Sequence, residues 1–105
     1  MSKPVEVTDA DFDEFVKNNP KVVVDCWAAW CAPCRMLAPT IDELASEKPD
    51  VKFAKLDVDK NRAVPTKYGI MSIPTLLYFK DGKLVDKSLG ALPKTAIESK
   101  LVKLE

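Results

Sequence analysis

A chain of 105 residues, 47% hydrophobic and 30% charged, is expected to fold as one domain spanning residues 1–105 around a core of its own. Sixteen basic side chains balance sixteen acidic ones with no long run of either sign, so neither nucleic acid nor an anionic membrane is an expected partner. Histidine is absent, which excludes His-based triads, Cys-His proteases and Cys/His zinc sites and leaves proton transfer to Asp, Glu, Lys or a thiol.

Residues 4–7 read as a short strand. Thr8 is expected to cap a helix with Asp11 as its capping-box partner, since Phe12, Phe15 and Val16 follow helical spacing and Asn18-Asn19-Pro20 stops the run. Residues 21–27 carry Val22-Val23-Val24 before Asp25-Cys26-Trp27, a β-branched run suited to a central parallel strand buried on both faces. From Ala32 onward Leu37, Ile41 and Leu44 recur at i, i+4 and i+7, predicting a helix that ends before Pro49 and is kinked at Pro39.

Residues 51–58 form a third expected strand, and residues 59–67 a weak helical segment broken by Pro65. Residues 75–79 and 83–89 flank Asp81-Gly82, a two-residue hairpin signal. A last helix starts near Pro93, with Ile97, Leu101 and Leu104 as its apolar stripe. The order is β-α-β-α-β-α-β-β-α, an α/β domain without repeat or linker. Residues 1–5 lack the apolar core of a signal peptide and no stretch reaches transmembrane length; with three cysteines, a reducing, cytoplasmic location is expected.

The chemistry concentrates in Trp30-Cys31-Ala32-Pro33-Cys34-Arg35, at the junction of the second strand and second helix. Residues i and i+3 of a helix hold their Cβ atoms about 5–6 Å apart and a disulfide needs roughly 3.5–4.5 Å, so slight local tightening closes the ring. A helix N-terminus stabilises an anion by about 0.3–1 kcal/mol, up to about 2 when partly buried, and so lowers a thiol pKa by roughly 0.2–1.5. Cys31 at the tip should feel this more than Cys34, and is expected to be the accessible, partly ionised sulfur. As a staple so small a ring is worth only about 2 kcal/mol, and as half of a zinc site the pair lacks partners. Two unrelated thiols are a further alternative on spacing alone; the strand-to-helix position favours redox cycling. Asp25, in an apolar strand, is either a solvated strand-end carboxylate or a buried one whose pKa desolvation raises far enough to relay a proton.

The stretch Val24-Asp25-Cys26-Trp27-Ala28-Ala29-Trp30-Cys31-Ala32-Pro33-Cys34-Arg35-Met36 closely resembles the active-site segment of the thioredoxin family. The resemblance continues through Pro39, Phe53-Ala54-Lys55-Leu56-Asp57-Val58-Asp59, Lys67-Tyr68-Gly69-Ile70, Ile73-Pro74-Thr75-Leu76-Leu77 and Gly90-Ala91, and covers essentially the whole chain. It implies the thioredoxin fold, a central mixed five-stranded sheet flanked by helices on both faces, and a general protein-disulfide reductase. By the same resemblance Cys31 attacks and Cys34 resolves, the two close a disulfide, and Asp25 accepts a proton with Lys55 as its partner on the neighbouring strand. Pro74 is implied to be cis, and Trp30, Ala32, Pro33, Ile73, Pro74, Gly90 and Ala91 to line the substrate-binding surface. The implied partners are disulfide-containing proteins and a separate thioredoxin reductase that supplies electrons; the expected protein is a monomer without bound cofactor or metal.

Two positions depart from the family's pattern. Ala32 stands where glycine is usual, and Cys26 where an aromatic residue is common. Cys26 is about 16 Å from Cys31 along an extended strand, at 3.3 Å per residue, and reads as a small buried apolar residue rather than a third redox thiol. An oxidant or isomerase on the same fold, or a binding module using the groove, are the alternatives; equilibrium with glutathione and the double Cys→Ser variant separate them.

Overall fold

The structure, a computed structural model, describes residues 3–105. Its elements are β1 (Val5–Glu6), α1 (Phe12–Asn18), β2 (Lys21–Trp27), α2 (Ala32–Glu47), β3 (Lys52–Asp57), α3 (Ala63–Lys67), β4 (Thr75–Lys80), β5 (Lys83–Leu89) and α4 (Lys94–Leu101), followed by a 3₁₀ turn over Val102–Leu104. The strands form one sheet in the order β1-β3-β2-β4-β5. β1 and β2 run parallel to β3, while β4 is antiparallel to both β2 and β5, the mixed five-stranded sheet that the resemblance implied. Among the described residues no helix is long and apolar enough to cross a membrane.

Strand alternation divides β2 between two cores. Val23 joins Phe53, Leu76 and Tyr78 beneath Leu37, Ile41 and Leu44 of α2 and Ile97, Leu101 and Leu104 of the C-terminal segment. Val22, Val24 and Cys26 face the other way, against Phe12 and Val16 of α1 and Val64 of α3. Asp25 and Trp27 have the parity of Val23 and so point to the α2 side. The site is built there.

Several elements differ from expectation in extent. The first strand has two residues, not four, and α1 begins at Phe12. Asp11 Oδ1 does accept from Thr8 N–H (2.7 Å), the return half of a capping box, but residues 9–11 form a turn leading into the helix. α2 contains Pro39 and ends at Glu47, before Pro49 as expected. Only residues 63–67 of the weak third helix are helical, and their free N–H groups at Ala63 and Val64 are both taken by the Asp9 carboxylate at 3.0 Å. That cap comes from more than 50 residues away, so no local signal marks it. The Asp81-Gly82 hairpin is as expected: both residues have positive φ, 50° and 83°, as the primed two-residue turn requires.

Candidate active site

Cys31 and Cys34 are joined in a disulfide with their Cα atoms 5.2 Å apart. Cys31 is the N-cap of α2 in extended conformation, and its sulfur accepts the Cys34 backbone N–H at 3.2 Å. Sulfur therefore occupies the place that a serine or aspartate oxygen takes at other helix starts, close to an N–H that stabilises negative charge. Pro33 fits the first turn because no intrahelical acceptor is available for its absent N–H. Cys31 is less open than expected: only 4% of it is exposed, although its neighbours Trp30, Ala32 and Pro33 all lie on the surface. The Cys31 sulfur sits in a slot among exposed residues rather than on a free tip.

The segment before β4 closes the slot. Cys31 Sγ lies 3.8 Å from the Ile73 carbonyl oxygen, and the Ile73–Pro74 bond is cis, as the resemblance implied. Ile73 is half-buried beside the cysteines and precedes the strand registers of β4, so its peptide groups take no part in the ladders. Pro74 is buried, and its carbonyl accepts from Gly90 N–H at 2.8 Å. Gly90 has φ of 84°, where a Cβ would strain the backbone; Ala91 follows on the surface. Trp30, 68% exposed, lines an apolar groove of about 190 Å³ with Val58, Pro65, Ile70, Met71 and Ile73.

On the inner side, Asp25, Trp27, Lys55, Cys34, Arg35 and Ala38 surround a cavity of about 60 Å³. Asp25 and Lys55 are register partners on adjacent parallel strands, which is how residues 30 apart in sequence meet. Asp25 is buried, its Oδ1 has no hydrogen-bond partner among the described residues, and its pKa is pushed up to about 7. Burial is the cause; the nearby Lys55 ammonium opposes it. Lys55 makes no ion pair with Asp25; its Nζ lies over the Trp27 ring, 4.5 Å from the centroid. Cys26 points to the opposite face, fully buried and unpaired, its thiol pushed up to about 12 by burial and by the adjacent carboxylate.

Sequence reasoning passed over three residues here. Asp59 Oδ2 accepts from Trp30 Nε1 at 2.8 Å and fixes the indole at the groove. Arg35 Nη1 donates to the Ala29 carbonyl at 2.9 Å and ties the loop before Cys31 to α2. Met71, 95% exposed, forms part of the groove wall. Arg35 and Asp59 lie in stretches that resemble the family, which gave them no role; Met71 carried no signal.

A cysteine pair closing a ring at a helix N-terminus, backed by a buried carboxyl and fronted by an apolar groove, defines a dithiol–disulfide oxidoreductase. The thioredoxin family model matches residues 3–103. Thioredoxin 1 of Synechococcus elongatus is 50% identical over 105 residues, covering 98% of each chain, and a Staphylococcus aureus thioredoxin is 53% identical over 93 residues, covering 86% of each. Among solved structures, a mutant thioredoxin from Halobacterium salinarum matches with a TM-score of 0.90 and 35% identity over 97% of this chain and 90% of the other. Oxidised mitochondrial thioredoxin 3 from Saccharomyces cerevisiae matches with a TM-score of 0.89 and 35% identity over 95% and 94%. The chain belongs to the thioredoxin family, and it is a protein-disulfide oxidoreductase working by thiol–disulfide exchange.

Proposed function

We propose that the protein is a general reductase of protein disulfides in the cytoplasm, with Cys31 as attacking and Cys34 as resolving sulfur, re-reduced by a thioredoxin reductase. In the first step the Cys31 thiolate attacks one sulfur of a target disulfide, forming a Cys31–target bond and releasing the other target sulfur as a thiolate. In the second, Cys34 gives its proton to the Asp25 carboxylate and attacks Cys31 Sγ. The second target sulfur leaves, the Cys31–Cys34 bond forms, and the target has gained the two electrons that the cysteines lost. Two electrons from the reductase break the Cys31–Cys34 bond, and the proton held by Asp25 returns to Cys34, restoring the Cys31 thiolate and the Cys34 thiol.

The observation that carries this reading is the different surroundings of the two sulfurs. Cys31 Sγ caps α2, next to the exposed Trp30, Ala32 and Pro33, whereas Cys34 borders the cavity that holds Asp25. An anion is stabilised at the first position and a proton acceptor waits at the second. The target is proposed to lie along Trp30, Ala32, Pro33, Ile73, Pro74, Gly90 and Ala91. The Ile73 peptide groups, free of the sheet, would pair with an extended segment, giving affinity with little sequence selectivity. Lys55 sets the charge around Asp25.

The order of attack is tested by trapping. A Cys34→Ser variant incubated with a disulfide-bonded protein should accumulate a covalent mixed disulfide at Cys31 that survives non-reducing electrophoresis. Accumulation in Cys31→Ser instead reverses the two roles.

A further inference from the structure

We propose that Trp27 is a positioning residue: its indole face holds the Lys55 ammonium and keeps it out of direct contact with Asp25, leaving that carboxyl unpaired beside Cys34. The inference deepens the proton-acceptor role given to Asp25 above and rests on it.

The starting point is a pairing that the backbone invites and the side chains do not make. Asp25 and Lys55 are opposite one another on parallel neighbours β2 and β3, with strands about 4.8 Å apart, well within the reach of a lysine stem. A partly buried ammonium beside a buried carboxyl would be expected to close an ion pair. Instead Lys55 Nζ sits 4.5 Å from the centroid of the Trp27 ring, inside the cation–π range of about 6 Å, and Asp25 Oδ1 has no partner among the described residues. Trp27 is two residues beyond Asp25 on the same strand and therefore on the same face, which puts the ring within reach of that stem. Its own Nε1 is buried and without a hydrogen-bond partner, so the polar edge gives no reason for an indole here. The ring's face does.

Among the described residues no other cation is placed to do what Lys55 does. From α2, Cys34 and Arg35 border the same cavity, but Arg35 Nη1 is committed to the Ala29 carbonyl. From β4 the register partner of Asp25 is Leu76, which is uncharged, and Cys26 points to the other face of the sheet. The division of Lys55 between ring and carboxylate therefore sets how far the ammonium offsets the effect of burial on Asp25. Paired directly, the carboxylate would hold its charge into acid and accept a proton from Cys34 weakly; held at a distance, it can take that proton near neutral pH.

The test is a titration of the Asp25 carboxyl by carbon-13 NMR in the oxidised protein, comparing the native chain with Trp27→Phe, Trp27→Leu, Lys55→Gln and each Trp27 change combined with Lys55→Gln. In Trp27→Leu the freed ammonium should pair with Asp25 and lower its midpoint by about one to three pH units. Trp27→Phe, which keeps a weaker aromatic face, should give a smaller fall. With Lys55→Gln present, neither Trp27 change should lower the midpoint.

A fall of equal size without Lys55 would mean that solvent entering past the lost ring is responsible, and would overturn the proposal; so would an unchanged midpoint in Trp27→Leu. If Trp27→Leu does not fold, the Trp27→Phe pair decides by the same criteria. The proton-acceptor reading is tested separately: turnover of Asp25→Asn equal to native at pH 8 would remove it while leaving the titration result intact.

Discussion

Asp25 and Cys26 are neighbours on the central strand, both almost sealed from solvent, yet they face opposite sides of the sheet and meet opposite chemical fates. Burial raises the pKa of each, because a low-dielectric surrounding penalises the charged form of any acid. The carboxyl starts well below neutrality and is carried up to about 7, where a proton can be exchanged freely. The thiol starts above neutrality and is carried away from it, to about 12, where it is inert. One physical effect thus brings one residue's titration to neutral pH and carries the next one's away from it. What completes the difference is packing: the Asp25 side has a cavity, a cation and a redox sulfur, whereas the Cys26 side is filled with apolar side chains.

The filled side should carry stability and nothing else. Phe12 is wholly buried there, with its ring centroid 5.7 Å from that of Tyr68 and 5.6 Å from that of Phe79. Phe12→Ala should cost about 3–5 kcal/mol in urea unfolding, the range for truncating a core phenylalanine. The pH profile of disulfide exchange per folded molecule should not move. A displaced profile would show that the two sides of the sheet are not independent.

The chemical side should show the reverse, a cost in stability removed by mutation. Below the ordinary carboxyl value of 3.8 Asp25 is protonated in both folded and unfolded chains, and no penalty exists. Between there and about 7 the unfolded chain releases the proton while the folded one keeps it, so stability falls as pH rises, and the full penalty applies above 7. A displacement of roughly three pH units at 1.36 kcal/mol each amounts to about 4 kcal/mol. Asp25→Asn should therefore be more stable than the native protein at pH 8 by as much as about 4 kcal/mol, with the gain fading towards pH 4. Its resolving step should be slowed above pH 7, where the native carboxylate is ionised, and should match the native rate below pH 6. Parallel urea titrations and rapid-mixing measurements at several pH values check both halves.

The two sides were not equally legible in the sequence. Lys21–Trp27 and Lys83–Leu89 match their expected limits because β-branched runs and an Asp-Gly turn are local signals. The cysteine pair was legible for the same reason: spacing and a following helical pattern are enough to place it at a helix start. What joins the pair to the rest of the site is long-range. Ile73 reaches Cys31 across 42 residues and Asp59 reaches Trp30 across 29, through contacts that only the sheet order creates. The residues alone did not specify these; the resemblance to the family implied a place for Ile73 on the substrate surface and gave Asp59 no role. The near-burial of Cys31 was missed because a helix-start argument places an atom along an axis and says nothing of what packs beside it. Lys55 was expected at Asp25 and was found on Trp27, since register fixes where a side chain begins and not where its flexible end settles.

The smallest expected effect tests the silent member of the comparison. If Cys26 is only a filler, Cys26→Ala removes one sulfur atom from a well-packed core, should cost about 1 kcal/mol, and should leave exchange rates untouched. A chemical measurement is sharper than the energetic one. With Cys31 and Cys34 joined, Cys26 is the one free thiol among the described residues, and it is both buried and held in its protonated form near neutrality. The oxidised native protein should thus take up no iodoacetamide at pH 8, and one equivalent once unfolded in urea. Rapid labelling of the folded protein would mean that the α1 side of the sheet opens readily, and the contrast between an inert thiol and a poised carboxyl would then rest on motion rather than on burial.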